Sequence, residues 1–379
     1  MVDSLNLKID KADAYLLLNG LSGIGPISAR NLLEYFEGDP TAIFRAKKSD
    51  LLRVKGIGEK IIDSLMDSKN HDWVLAENKK IKSRAVSFVT QNELPALLLE
   101  IYDPPIGLYV NGELPDRPYV GIVGTRNPTM YGQKQAREMA ANLTAAGFCI
   151  VSGMARGIDS AAHEGALEAG GPTVAFLGSG IDIVYPPENI NLYQRISKNG
   201  AVVSEFPFGR KADRRTFPMR NRLVSGVSQA VLVVESAASG GSLITAQFAA
   251  DQGRTVFAVP GRIDQPSSAG CHKIIREGAT LVRSSADIIE DLRPYMLQDQ
   301  ILLNFDDGEK TNGSRDHITE NLSETEKLLI RELNEGEQLS LVELEQRIGI
   351  GIADTMSALT LLELNRHVKK HPSGKFELI

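Results

Sequence analysis

From residue 86 to 293 the chain alternates short apolar runs with longer stretches whose apolar residues recur every three or four positions. The runs VSFVT, YVGIVGT, FCIVSG, TVAFLG, AVVSEF, AVLVVES and TVFAVPG are rich in β-branched residues and predict strands. Between some of them, QKQAREMAANLTAAG and SLITAQFAADQG carry the helical period. Strands that are apolar on both faces and separated by helices imply an α/β fold with a mostly parallel sheet, covered on both sides. In such sheets a ligand sits beyond the carboxyl ends of the strands. The informative segments are therefore GTRN after the second run, SGMARGID after the third, GSGID after the fourth and ESAASGGS after the sixth.

The pattern changes on either side. Residues 1–85 read as short helices with a weak repeat, LSGIGPISARNLL (21–33) and VKGIGEKIIDSLM (54–66). Each copy is an apolar residue, Gly-Ile-Gly and an amphipathic helix, which resembles the helix-hairpin-helix element of SAM-like helical domains. The glycines either bring helix-start amides against a phosphate or make tight turns between packed helices; Glu59 weakens a phosphate site at the second copy. Residues 294–321, which include FDDGEKTNGSRDHITEN, read as a polar linker. Residues 322–379 carry three helical patterns and then RHVKKHPSGKFELI, a hairpin with Ser373-Gly374 near its turn. Ser323 and Glu326 suit a capping box at the first helix. Three helices and a wing suggest a winged-helix domain. Its third helix has no arginine or lysine before Arg366, so a structural or protein-contact role is favoured over sequence-specific DNA reading.

Composition adds limits. With 379 residues, 42% of them hydrophobic, the chain has enough apolar material for a large central core. No secretory signal and no apolar run of about 20 residues is visible, so a cytoplasmic protein with no membrane partner is expected. Cys149 and Cys271 lack disulfide or zinc spacing and read as packing residues. The net charge is -6, but 16 acidic and 9 basic side chains fall in residues 299–379, so the rest is balanced. Within that balanced part, RKADRRTFPMRNR (210–222) sets Arg210, Lys211, Arg214, Arg215, Arg220 and Arg222 against Asp213 alone. Such a cluster is either a phosphate footprint or a solvated basic loop.

The strand ends favour phosphate. Gly153 and Gly157 bracket a turn that opens a helix, and Gly240, Gly241 and Ser242 precede another, with Ser242 suited to its N-cap. No strand ends in Gly-x-Gly-x-x-Gly, and Arg126 follows Gly124 where a dinucleotide fold would continue its glycines; no P-loop is present. Asp159, His163, Asp182 and Glu205 lie near strand ends but do not assemble a catalytic set with a nucleophile or metal, so structural roles are favoured for each. Phe217 among Arg214, Arg215, Arg220, Asn221 and Arg222 is the combination that binds single-stranded nucleic acid, guanidinium groups on the backbone and a ring beneath a base. The alternative for Phe217 is a buried anchor for its loop.

GTRNPTMYG, SGMARGIDSAAH, LGSGIDIVYP, SEFPFG, FPMRNRLVSGVS, VVESAASGGSLITA, VFAVPG and GCHKIIREGA occur in the order and spacing of the DNA-processing protein A family (DprA, also called Smf). The resemblance spans about residues 86–293. It implies an extended Rossmann-like domain and a non-enzymatic protein of natural transformation. Such a protein binds incoming single-stranded DNA, protects it and loads RecA recombinase, acting as a homodimer without cofactor or metal. The implied DNA-binding residues are Gly124, Arg126, Gly153, Gly157, Gly178, Ser179, Gly180, Arg214, Arg215, Phe217, Arg220, Asn221, Arg222, Gly240, Gly241 and Ser242. Some relatives place a lysine directly after Tyr-Pro, where this chain has Pro187, and His272 stands where others differ. A competing class is the Rossmann-like nucleotide phosphoribohydrolase, but SGGSLITAQ has Ala246 and Gln247 where such an enzyme places a glutamate. A winged-helix transcription regulator is a third reading, weakened by the poor recognition helix.

Overall fold

In the computed structural model, which describes residues 9–293, 324–333, 339–364, 368–371 and 375–378, the apolar runs assemble into one nine-stranded sheet. Its strands are β1 (Ser87–Thr90), β2 (Gly107–Gly112), β3 (Tyr119–Val123), β4 (Cys149–Ser152), β5 (Thr173–Leu177), β6 (Gly200–Ser204), β7 (Ala230–Val233), β8 (Thr255–Ala258) and β9 (Thr280–Leu281). They lie in the order β1-β2-β6-β5-β4-β3-β7-β8-β9. From β6 to β9 every pairing is parallel, whereas β2 pairs antiparallel with both β6 and β1. The sheet is thus mostly parallel. Strand β2 was not expected from the pattern: GLYVNG has no alternation, and cross-strand partners on both sides give it its place.

The chain runs from β3 outward to β6 on one side, then returns to place β7 to β9 on the other. This reversal leaves a crevice between the carboxyl ends of β3 and β7, where helices on opposite faces diverge. One face packs Leu223, Val224 and Val227 of the helix Thr216–Val227 and Ala246 and Ala249 of the helix Ser242–Asp251. The other packs Met139 and Leu143 of Met130–Ala145 and Ala161 and Ala162 of Ile158–Glu168. Cys149 and Cys271 are buried free thiols, and burial pushes both thiol pKa values up.

The N-terminal helices enclose a core of Leu17, Leu32, Ile43, Leu51, Ile62 and Val74. Each Gly-Ile-Gly is a turn whose first glycine has positive φ, +87° at Gly23 and +79° at Gly56, and whose second, Gly25 or Gly58, is the cap of the next helix. This helical region packs on the sheet within one compact unit, lying in residues 1–304. Asn19 Nδ2 donates to Glu205 O at 2.9 Å, and the buried Glu77 of the helix Asn70–Ser83 accepts from Tyr109 Oη at 3.1 Å and Phe208 N at 2.8 Å.

The described residues of the second unit, in residues 305–379, form three helices (Glu324–Glu332, Leu341–Ile348, Ile352–Leu364) and a three-stranded sheet. Val368–Lys370 and Lys375–Leu378 are the antiparallel pair expected of the wing, joined by Leu339–Ser340 at the other edge of Lys375–Leu378. The expected linker at 294–321, the cap at Ser323, Arg366 and the turn at Ser373-Gly374 lie outside the described residues.

Candidate nucleic-acid interface

The carboxyl ends of β3, β4 and β7 and the start of the helix Thr216–Val227 enclose a groove of about 500 Å³. Gly124, Arg126, Gly153, Arg214, Phe217, Arg220, Asn221, Gly240, Gly241 and Ser242 line it. An adjoining recess shares Arg126, Gly153, Phe217 and Arg220 and adds Gly178, Ser179 and Tyr185. Segments more than 100 residues apart in sequence therefore meet at one edge because every parallel strand points its carboxyl end the same way.

At the boundary between groove and recess, the Arg126 guanidinium carbon lies 5.0 Å from the centroid of the half-buried Phe217 ring. Tyr185 packs at 5.8 Å with its plane tilted 47°. Gly178 leaves room for the ring, since a Cβ there would lie 3.0 Å from Phe217 Cδ1. Arg126 is exposed, lines the groove and has no carboxylate partner among the described residues, so its charge is open to the groove while its guanidinium lies over the aromatic. The contribution of Tyr185 was missed in the sequence, where the tyrosine stands 32 residues from Phe217 and nothing local links them.

Arg220 is nearly buried. Its Nη1 donates to Phe176 O at 2.7 Å and its Nε to Asn221 Oδ1 at 3.0 Å. The guanidinium occupies the space that the missing side chain of Gly153 leaves. Beside it, Asp159 Oδ2 accepts from Gly153 N at 3.2 Å and Ala155 N at 3.3 Å. Those two amides, expected to face an anion, are turned onto an acid of the chain itself. Burial raises the pKa of Asp159, opposed by Arg220 and the two amides, and burial lowers that of Arg220, opposed by Asp159. Arg220, seated against Gly153, packs the turn after β4 against the helix that carries Phe217.

The remaining glycines shape the same edge. Gly157 has φ +80°, and a Cβ there would collide with Thr125 O. Gly124 packs on Ile158, and Thr125 N donates to Glu235 O at 2.7 Å, joining the ends of β3 and β7. Gly180 lies outside the lining but ties two loops together, its N donating to Arg210 O at 2.7 Å. Gly240 packs against Ser236. Ser242 is not the N-cap: Gly241 holds that position, and Ser242 Oγ donates to Ser236 Oγ at 2.8 Å.

Two arginines depart from expectation. Arg222, 3% exposed, does not line the groove, pairing instead with Glu205 at 2.5 Å and Asp103 at 3.2 Å and donating to Asp103 O at 2.6 Å. Five residues of helix turn its direction by about 140° from that of Phe217, a distinction the string FPMRNR does not carry. Arg215 does not line the groove and stands 3.6 Å from Asp213, which also pairs with Arg210 at 2.6 Å. His272 Nε2 bonds to Gly261 O at 3.0 Å. Among the candidate acids, Glu205 is held by Arg222, and Asp182 accepts from Gly209 N at 2.9 Å.

The doubly wound sheet and its groove define a Rossmann-like protein whose switch-point crevice is lined by guanidinium and aromatic groups. Residues 85–293 match the family model described as DNA recombination-mediator protein A, and residues 15–68 that of the SAM-like helix-hairpin-helix tandem. The chain belongs to the DNA recombination-mediator protein A family, that of DprA and Smf. It is 37% identical to protein Smf of Synechocystis over 294 residues, which is 76% of this chain and 74% of that protein. With the DNA processing protein DprA of Bacillus subtilis it shares 41% identity over 207 residues, 54% of this chain and 70% of that one. The X-ray structure of DprA from Streptococcus pneumoniae superposes with a TM-score of 0.61 at 33% identity, covering 75% of this chain and 98% of that chain. DNA processing protein A from Helicobacter pylori, whose structure concerns a single-stranded DNA binding mode, gives a TM-score of 0.51 at 31% identity, covering 55% and 96%.

Proposed function

We propose that the groove at the β3/β7 crevice binds single-stranded DNA without sequence preference. The chain then acts as a non-catalytic mediator of natural transformation, shielding the incoming strand and passing it to RecA recombinase, as a homodimer. The carrying observation is Arg126 stacked on Phe217 with no acidic partner among the described residues, on a ring half open to the groove. A strand's phosphates meet Arg126 and Arg214 there, and a base meets the exposed part of the ring and Tyr185. The start of the helix Ser242–Asp251 adds its positive end across the crevice. Engagement of Asp159, Asp182 and Glu205 in bonds within the chain supports a binding role over nucleotide cleavage.

Fluorescence anisotropy of labelled oligo-dT tests this. Binding is expected at low salt, weakening steeply as salt rises, and Arg126→Ala is expected to reduce affinity at least about tenfold, about 1.4 kcal/mol, with unchanged thermal unfolding. Absence of binding by the unaltered protein at low salt would sink the proposal.

A further inference from the structure

Beyond the groove, the same edge of the sheet carries a charged ridge, and we infer that it is a second phosphate-binding step that leads the strand from the groove onto the N-terminal helical region. The inference rests on the single-stranded DNA reading above. The turn Gly178 to Gly180 has a different neighbour at each end. Phe217 packs at Gly178, and the loop after β6 packs at Gly180, where a Cβ would lie 3.2 Å from Arg210 N. Groove and loop are therefore separated only by a turn of small residues.

On that loop Phe208 is nearly buried, and two cations of the helical region lie over its ring, Lys80 Nζ at 5.9 Å and the Arg84 guanidinium at 5.6 Å. The ring is a base for the cations and not a platform for a nucleobase. Glu77, 1% exposed, fixes the arrangement by accepting from Phe208 N at 2.8 Å and Lys80 Nζ at 2.9 Å. That carboxylate offsets Lys80. Arg84, Lys211 and Arg214 are exposed and have no carboxylate within ion-pair distance among the described residues. The acids of the two loops are occupied, Asp182 by Gly209 N and Asp213 by Arg210 and Arg215.

The unpaired cations thus continue from Arg126 and Arg214 in the groove, through Lys211 on the loop, to Arg84 on the helical region. A compact anion would call for charges converging on one point. Charges strung over several segments fit a polymer with regularly spaced phosphates, and the strand in the groove is the polymer at hand.

The test compares oligo-dT of about 6 and about 20 nucleotides, lengths on either side of common single-strand site sizes. The double variant Arg84→Ala/Lys211→Ala is set against Arg117→Ala/Lys198→Ala, which removes equal charge just before β3 and β6, at the opposite edge. The unaltered protein is expected to bind the longer oligonucleotide at least tenfold more tightly, and Arg84→Ala/Lys211→Ala to lose most of that gain while binding the shorter one as before. Loss of two contacts should also lower the salt slope for the longer strand by about 1.4. The inference is overturned, with the groove reading intact, if the unaltered protein binds the short strand but the ridge variant keeps the length gain, or if both double variants lose it equally. If the unaltered protein binds neither strand, the groove reading falls as well.

Discussion

Arg126 and Arg222 are the same residue type in neighbouring motifs of one edge, yet their surroundings give them opposite work. Arg126 is exposed on an aromatic face, whereas Arg222 neutralises the buried Glu205 and ties down Asp103. Removing one member of a buried pair leaves the other charge uncompensated, at a cost of about 3–5 kcal/mol. Arg222→Ala is therefore expected to lower stability on that scale in urea unfolding, with DNA affinity per folded molecule unchanged. His163 offers a different residue-scale test. Its Nδ1 donates to Thr173 Oγ1 at 2.7 Å, because the hydroxyl hydrogen is already given to Ile150 O, and its buried Nε2 has no partner. Burial, aided by the charge of Arg220, lowers its pKa to about 3. An unfolded histidine binds a proton below about 6.5, so in the window between those values the unfolded chain carries the extra proton. Stability should fall as pH drops through that window, by up to about 1.4 kcal/mol per unit, and His163→Gln should flatten this component in unfolding curves taken at several pH values.

At the scale of elements, the glycine-rich turns were legible as turns but not in their purpose. SGMARGID reads as a cradle of free amides; folded, two of its amides bind Asp159, and Gly153 makes room for Arg220. Gly157 is constrained twice, by φ +80° and by contact with Thr125 O, so Gly157→Ala should destabilise the protein by at least about 1–2 kcal/mol. Thermal unfolding would register the loss, and DNA affinity should fall with it, because this turn and Arg126 are packed together. Strand β2 escaped detection for a related reason, since its short apolar stretch between glycines becomes a strand by pairing with β1 and β6. The two Gly-Ile-Gly turns were readable because cap, turn and following helix are all local.

Over the whole molecule, a net charge of -6 conceals an edge where Arg126, Arg214, Lys211 and Arg84 stand without acidic partners among the described residues. Binding should therefore show a strong salt dependence despite the negative total. At about 0.7 per phosphate contact on a single strand, these cations predict a slope of log affinity on log salt near -3 for a long oligonucleotide; a slope near zero would mean that phosphate contacts do not drive association. The sequence alone determined the parallel sheet, the helical flanks and the segments that would meet at its edge, because hydrophobic period and turn chemistry are local properties of a chain. Only the tertiary structure decided which cations of FPMRNR and its neighbours face the groove and which are buried against acids. Direction around a helix, burial and the nearest opposite charge arise when distant segments pack, and they separate Arg126, left free over Phe217, from Arg222, enclosed with Glu205.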